Sequence, residues 1–213
     1  EIAISDHRSS QPDLPDMMKL ASEVHLGGMI GGKAGVLHIH VGDGKKGLEP
    51  LVKILDESDL PIGMFVPTHL NRNPELFRQA TEYCRSGGNI DLTAGEKAGL
   101  PVYRCIEMLI SEGMDLSRVT VSSDANGSIP EGGVSKIIWL YEDIVSCIRK
   151  AKLSPGAAFS LATENVAKVL KLYPRKGCLK EGGDADILVT DKDYNIKMLF
   201  CRGRLMKKLS EKL

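Results

Sequence analysis

Short apolar runs alternate along the chain with longer stretches in which apolar residues recur every three or four positions. The short runs predict strands at Glu1–Ser5, Gly35–His40, Met64–Thr68, Asn89–Thr93 and Val119–Ser123. The longer ones predict helices at Pro15–Leu26, Gly47–Ser58, Asn73–Ser86, Val102–Glu112, Ile137–Ala151 and Pro155–Lys171. Strand and helix in turn, with Gly, Pro and Asp at the joints, is the pattern of parallel βαβ units. No strand is followed by the G-x-G-x-x-G turn of dinucleotide-binding folds. After Pro174 the texture changes. KGCLKEGGDADILVTDKDYNIKMLFCRGRLMKK is Gly-punctuated and β-like, with strands expected at Asp186–Thr190, Ile196–Cys201 and Arg204–Met206. Residues 1–174 and 175–213 therefore read as two domains, the second holding strands of a small β-sandwich-like unit.

Composition narrows the classes of partner. The 213 residues can bury a normal core, and 28 basic side chains balance 28 acidic ones. With no basic excess to draw in nucleic acid or an anionic membrane, a small-molecule partner is expected. The five Cys, at 84, 105, 147, 178 and 201, form no C-x-x-C pair, and an odd number closes no disulfide framework. They read as reduced thiols of a cytoplasmic chain. No apolar run approaches the ~20 residues that span a bilayer, and none reads as a secretory signal region.

Chemistry-bearing residues fall at strand ends. Glu1 heads the first strand, His40 closes LHIH, His69 follows MFVPT and Asp124 follows VTVSS. The last three stand at carboxyl ends, where (β/α)₈ barrels build their active sites. Two imidazoles, an Asp and a further carboxylate suit Zn²⁺ or a similar divalent cation. Taken singly, each has a plainer reading. A His at a strand end is commonly a hydrogen-bonded core residue, SDAN serves as an N-cap or Asx-turn, and HIH packs as a pair on one strand face.

AISDHRSSQPD, HVGDGKK, PTHLNRN, SSDANGS and KGCLKEGGDADILV, in this order, resemble the isoaspartyl dipeptidase (β-aspartyl peptidase) family of the amidohydrolase superfamily. The likeness runs over nearly the whole chain. PTHLNRN and SSDANGS are its specific pieces, whereas the GGDADILV tail is shared by many amidohydrolases. It implies an α/β fold, part of a metal-dependent-hydrolase TIM (β/α)₈ barrel with the C-terminal strands of a small β-domain. It also implies two divalent metal ions, with Zn²⁺ the expected identity. His40 and His69 match the family's two later His ligands, and Asp124 matches the Asp that binds metal and carries protons. Arg8, Arg72 and Ser128 match groups that hold the carboxylates of a dipeptide. Glu1 falls where the family often has a carboxylated Lys, which implies a Glu bridging both cations directly.

The implied reaction is hydrolysis of a β-aspartyl dipeptide by a metal-bridged hydroxide, with Asp124 as general acid/base. A dihydroorotase- or hydantoinase-like activity on cyclic amides would share the same His, His and Asp. A folded, metal-free fragment or assembly protein is the reading from another class. A complete barrel takes ~250 residues, and the family's HxH metal motif precedes its bridging residue. His38 with His40 is therefore not read as that motif, and His38 is expected in the barrel wall. The chain is expected to be a C-terminal portion, inactive alone, of a protein that forms homo-oligomers when complete.

Overall fold

The computed structural model describes residues 1–127 and 133–208. Five strands, β1 (Ile2–Ile4), β2 (Leu37–Val41), β3 (Phe65–Thr68), β4 (Ile90–Thr93) and β5 (Val119–Ser122), are linked by α1 (Leu14–Gly31), α2 (Glu49–Glu57), α3 (Pro74–Arg85) and α4 (Val102–Ser111). After β5 come α5 (Ile138–Arg149), α6 (Pro155–Ser160) and α7 (Glu164–Val169). Parallel ladders join β1 to β2, β2 to β3 and, separately, β4 to β5. β3 and β4 lie side by side without a ladder; among the described residues one backbone bond, Leu70 N–H to the Asp91 carbonyl at 3.3 Å, crosses between them.

The two-residue period of a strand decides which side chains meet the helices. In β2, Leu37, Ile39 and Val41 are buried in one cluster with Met17 and Ala21 of α1 and Leu51 and Ile54 of α2. Each of these side chains except the smaller Ala21 contributes ~1.5–3 kcal/mol by leaving water. The alternate positions form a polar inner face, with His38 and His40 from β2, Thr68 from β3, Asp91 and Thr93 from β4, and Thr120 and Ser122 from β5. Asp91 is at its centre, accepting from the hydroxyls of Thr68, Thr120 and Ser122, each at 2.6 Å. Helix α3 starts directly behind the loop after β3. Asn73 caps it by accepting from Leu76 N–H at 2.8 Å, and Pro74 and Glu75 occupy its first turn.

Two helices depart from the sequence pattern. α1 runs past Leu26 to Gly31, through the double glycine at 27–28. Gly28 is needed there, because a Cβ would collide with the backbone of Gly35, where the chain turns back toward β2. The single helix expected over 155–171 is broken into α6 and α7. The Leu161 carbonyl, which a continuous helix would use internally, instead accepts from Val121 N–H at 3.0 Å. Asn165 Nδ2 donates to the carbonyls of Leu116 and Val119, both at 2.8 Å. The break thus covers the outer edge of β5, which would otherwise present unpaired backbone.

The antiparallel sheet of β6 (Ile187–Thr190), β7 (Ile196–Cys201) and β8 (Arg204–Lys208) has the order β6-β7-β8 and no ladder to the parallel strands. No helix among the described residues is long and apolar enough to cross a membrane.

Candidate active site

The carboxyl ends of β2, β3 and β5 bring the expected residues to one place. His40 Nδ1 and His69 Nε2 are 3.0 Å apart, and His40 Nε2 lies 3.4 Å from Glu1 Oε2. Asp124 shares a cleft of about 250 Å³ with Glu1, His38, His40, Thr68, His69, Ser122 and Ser123. Its backbone takes the left-handed conformation (φ 45°), and its carbonyl accepts from Gly127 N–H at 2.9 Å and from the Ser135 hydroxyl. Among the described residues its carboxylate accepts no hydrogen bond.

The imidazole pair also lines a second cleft of about 240 Å³, together with Ala3, Asp6, Arg8, Ser9 and Arg72. The two imidazoles are thus shared by a carboxylate-lined cleft and an arginine-lined one. Asp6 accepts from Arg8 Nε at 3.1 Å, from Nη2 at 2.8 Å and from the Arg8 backbone N–H at 2.8 Å. Arg72 Nη1 donates to the Val41 carbonyl at 3.1 Å. Ser128 lies outside the described residues. Larger cavities exist elsewhere, one of about 520 Å³ between α6–α7 and β6 and one of about 560 Å³ at the amino ends of the strands. Neither gathers two imidazoles.

The protonation states suit ligand chemistry. Burial, followed by the charge of Arg72, lowers His69 to about 3, so its imidazole is neutral at pH 7 and has a lone pair to offer. Thr93 Oγ1 sits 2.7 Å from His69 Nδ1 and fixes which nitrogen faces His40. Glu1 is held below the usual carboxylate range, chiefly by its hydrogen bond to His40 and then by that ring's charge. Burial likewise lowers His38, whose ring meets His40 edge-on with centroids 5.3 Å apart.

Among the described residues no group of three or more His, Cys, Asp and Glu side chains is gathered tightly enough to enclose a metal ion. The donor types nevertheless fit one. Two imidazole ligands of a tetrahedral Zn²⁺ stand about 3.3 Å apart, close to the 3.0 Å between His40 and His69. Glu1, at 3.4 Å from His40 Nε2, and Asp124, in the same cleft, are the carboxylates at hand.

Several residues that shape the site carried no sequence signal of their own. Thr93 orients His69, Asp6 holds Arg8, and Asp91 ties the strand leading to His69 to the strand leading to Asp124. The one available hint was IDLT, a strand whose alternate residues are polar yet buried.

The amidohydrolase family profile matches residues 68–206, and the chain belongs to that family. Within it, the chain is similar to a β-aspartyl dipeptidase. The structure of that enzyme from Fervidobacterium islandicum AW-1 in complex with β-Asp-Leu superposes with a TM-score of 0.90 at 37% identity, over 98% of this chain and 57% of that one. A second structure of the same enzyme gives 0.88 at 35% identity, over 98% and 55%. N-acetyl-D-glucosamine-6-phosphate deacetylase from Mycobacterium smegmatis, at 16% identity and a TM-score of 0.58, shares the fold, over 96% of this chain and 54% of that one. An L-hydantoinase of Paenarthrobacter aurescens is 35% identical over 63 residues, 30% of this chain and 14% of that protein. The chain spans little more than half the length of the dipeptidase it matches.

Proposed function

We propose that the chain carries the later half of a metal-dependent site that hydrolyses β-aspartyl (isoaspartyl) dipeptides. The observation that supports this best is the His40–His69 pair, which lines both the carboxylate-lined and the arginine-lined cleft. Glu1, His40, His69 and Asp124 would hold two divalent cations, Zn²⁺ by donor type, with Glu1 in place of a carboxylated Lys. When bound, such cations activate the attacking water and polarise the scissile carbonyl.

The remaining steps belong to the chain's own side chains. Asp124 takes the proton of the attacking water and returns it to the leaving amine. Arg72 has one N–H on the Val41 carbonyl, which leaves most of its fork for a carboxylate. Arg8 presents the guanidinium edge that Asp6 does not occupy. Ser128 is the third proposed carboxylate contact. A β-aspartyl dipeptide carries two free carboxylates, the aspartyl α-carboxylate and the C-terminal one, and two Arg side chains in one cleft match that number. In this reading the five parallel strands are an arc of a (β/α)₈ barrel, and β6–β8 are part of a small β-domain. The protein works in the cytoplasm and self-associates.

The 63-residue likeness to an L-hydantoinase supports a second reading, hydrolysis of a cyclic amide. A hydantoin ring gives Arg8 and Arg72 no pair of carboxylates, which ranks this reading second. The test is a chimera of this chain with the part of the F. islandicum dipeptidase that it does not cover. It is assayed with Zn²⁺ on β-Asp-Leu, a hydantoin and dihydroorotate. Turnover of β-Asp-Leu that Arg72→Ala abolishes supports the dipeptidase reading. Turnover of cyclic amides alone, or silence in a folded, zinc-loaded chimera, overturns it.

A further inference from the structure

Asn71 stands between His69 and Arg72 in the turn after β3 and is completely buried, at 0% exposure. Its side chain makes three hydrogen bonds, all to backbone. Oδ1 accepts from Thr93 N–H at 2.8 Å, and Nδ2 donates to the carbonyls of Thr93 at 2.9 Å and Leu100 at 3.0 Å. The pair satisfies both backbone groups of Thr93 on its β3 side, as a neighbouring strand would, and it falls where β3 and β4 have no ladder. The Asn71 carbonyl also accepts from Leu100 N–H at 2.7 Å. Gly99 permits that approach, since a Cβ there would collide with the carbonyl oxygens of Asn71 and Arg72.

Both ends of this arrangement reach the site. Thr93 Oγ1 is 2.7 Å from His69 Nδ1. The turn is closed by Arg72 N–H to the His69 carbonyl at 3.1 Å, with His69 held in the left-handed region at φ 65°.

We propose that Asn71 is a positioning residue, an amide standing in for the absent β3–β4 ladder, which holds Thr93 against His69 and so aims the His69 ring and the Arg72 side chain into their clefts. The metal-site reading above underlies one of the two measurements that test this; the other is independent of it.

A purely structural amide would cost stability without touching His69. Asn165 is the matched control. It is also buried, and it donates to two carbonyls, but at the amino end of β5, away from the site. The chimera described above is prepared with Asn71→Ala, Thr93→Val, both together, and Asn165→Ala. Asn71→Asp replaces Asn71→Ala should the latter not fold, because it keeps the acceptor toward Thr93 N–H and loses both donors. Zn²⁺ affinity is read by competition with a chromogenic chelator. The ¹⁵N shifts of the His69 ring are read without metal. Asn71→Ala and Thr93→Val should each weaken Zn²⁺ binding ~10–100-fold, the range for partners that orient a ligand. The double variant should be no worse than the poorer single, since both act through one contact. The His69 Nδ1 signal should shift in Asn71→Ala and stay put in Asn165→Ala. Additive losses, an equal Zn²⁺ loss in Asn165→Ala, or an unmoved His69 signal in the Asn71 variant would overturn the assignment. If the unmodified chimera takes up no Zn²⁺, the metal reading falls and the His69 signal alone decides the role of Asn71.

Discussion

Replacing Asp91 with Ala removes the acceptor on which three hydroxyls from two neighbouring strands converge, and the structure allows the cost to be worked out donor by donor. Thr68, Thr120 and Ser122 each reach Asp91 at 2.6 Å, in the short range of a hydroxyl bound to an ionised carboxylate. Without Asp91 the three hydroxyls fare differently. Thr120 has a second acceptor, the Ile90 carbonyl at 3.3 Å. Ser122 is half-buried and can turn to water. Thr68 is 1% exposed and has neither recourse. One orphaned buried hydroxyl costs ~1–3 kcal/mol, and two exchanged hydrogen bonds cost ~0.5–1.5 kcal/mol each. Relief from burying a charge offsets part of this, which leaves a net loss of about 3 kcal/mol. For a chain of this size that lowers Tm by about 6–12 °C. Asp91→Asn should cost nearer 1 kcal/mol, because hydroxyls can reverse and accept from its amide. Thermal unfolding followed by circular dichroism reads both. A drop of less than about 2 °C for Asp91→Ala, set against the 2–4 °C expected per kcal/mol, would mean that the charge costs as much to bury as its three bonds return.

In the chimera, Asp124→Asn should lower kcat by ~10²–10⁴ while leaving the fold intact, since Asn keeps the shape but takes no proton; near-normal kcat would remove the general acid/base role. Arg72→Lys should raise KM for β-Asp-Leu with little change in kcat, whereas Arg85→Lys, in an exposed ion pair with Glu112, should change neither; an unaltered kcat/KM would reduce Arg72 to a loop residue. A thiol reagent applied to the native chain should label Cys201 first and Cys178 next, with buried Cys84, Cys105 and Cys147 labelled only on unfolding, as mass spectrometry of the modified peptides would show. Burial raises Cys147 from 9.0 to about 12, so the folded chain keeps a proton that the unfolded chain loses above pH 9. Stability present below that pH should fall as pH rises toward 12, by about 1.4 kcal/mol per pH unit for each such thiol. Urea midpoints should show a shallower slope in Cys147→Ala, and an unchanged slope would rule out this source.

The strands were legible in the sequence to within two residues because each is a short apolar run bounded by turn formers, and burial on the helix side demands that pattern. The break at Leu161 was not legible. It answers to the Val121 N–H on another element, and nothing within 155–171 records that need. The site divides the same way. His40, His69 and Asp124 stood out because they close apolar strands, and Glu1, Arg8 and Arg72 through the resemblance. The groups that orient them, Thr93, Asn71 and Asp6, act by a few hydrogen bonds between segments distant in sequence or within a short turn. Such bonds impose no period.

The two arginines of the second cleft are held by different means, and the difference bears on what each can do. Arg8 is gripped by a carboxylate at both Nε and Nη2, and Asp6 is pulled far below the usual carboxylate range, chiefly by that hydrogen bond. The pairing orients the fork before any anion arrives, which lowers the ordering cost of binding. It also offsets most of the field that Arg8 would otherwise project. Among the described residues Arg72 is tethered to a backbone carbonyl, a partial charge, and its positive charge acts on the cleft and on the neighbouring His69. Arg8 therefore contributes geometry and Arg72 contributes potential. A substrate carboxylate drawn in by Arg72 would find the second anchor already aimed, an order of events that two identically held arginines would not impose.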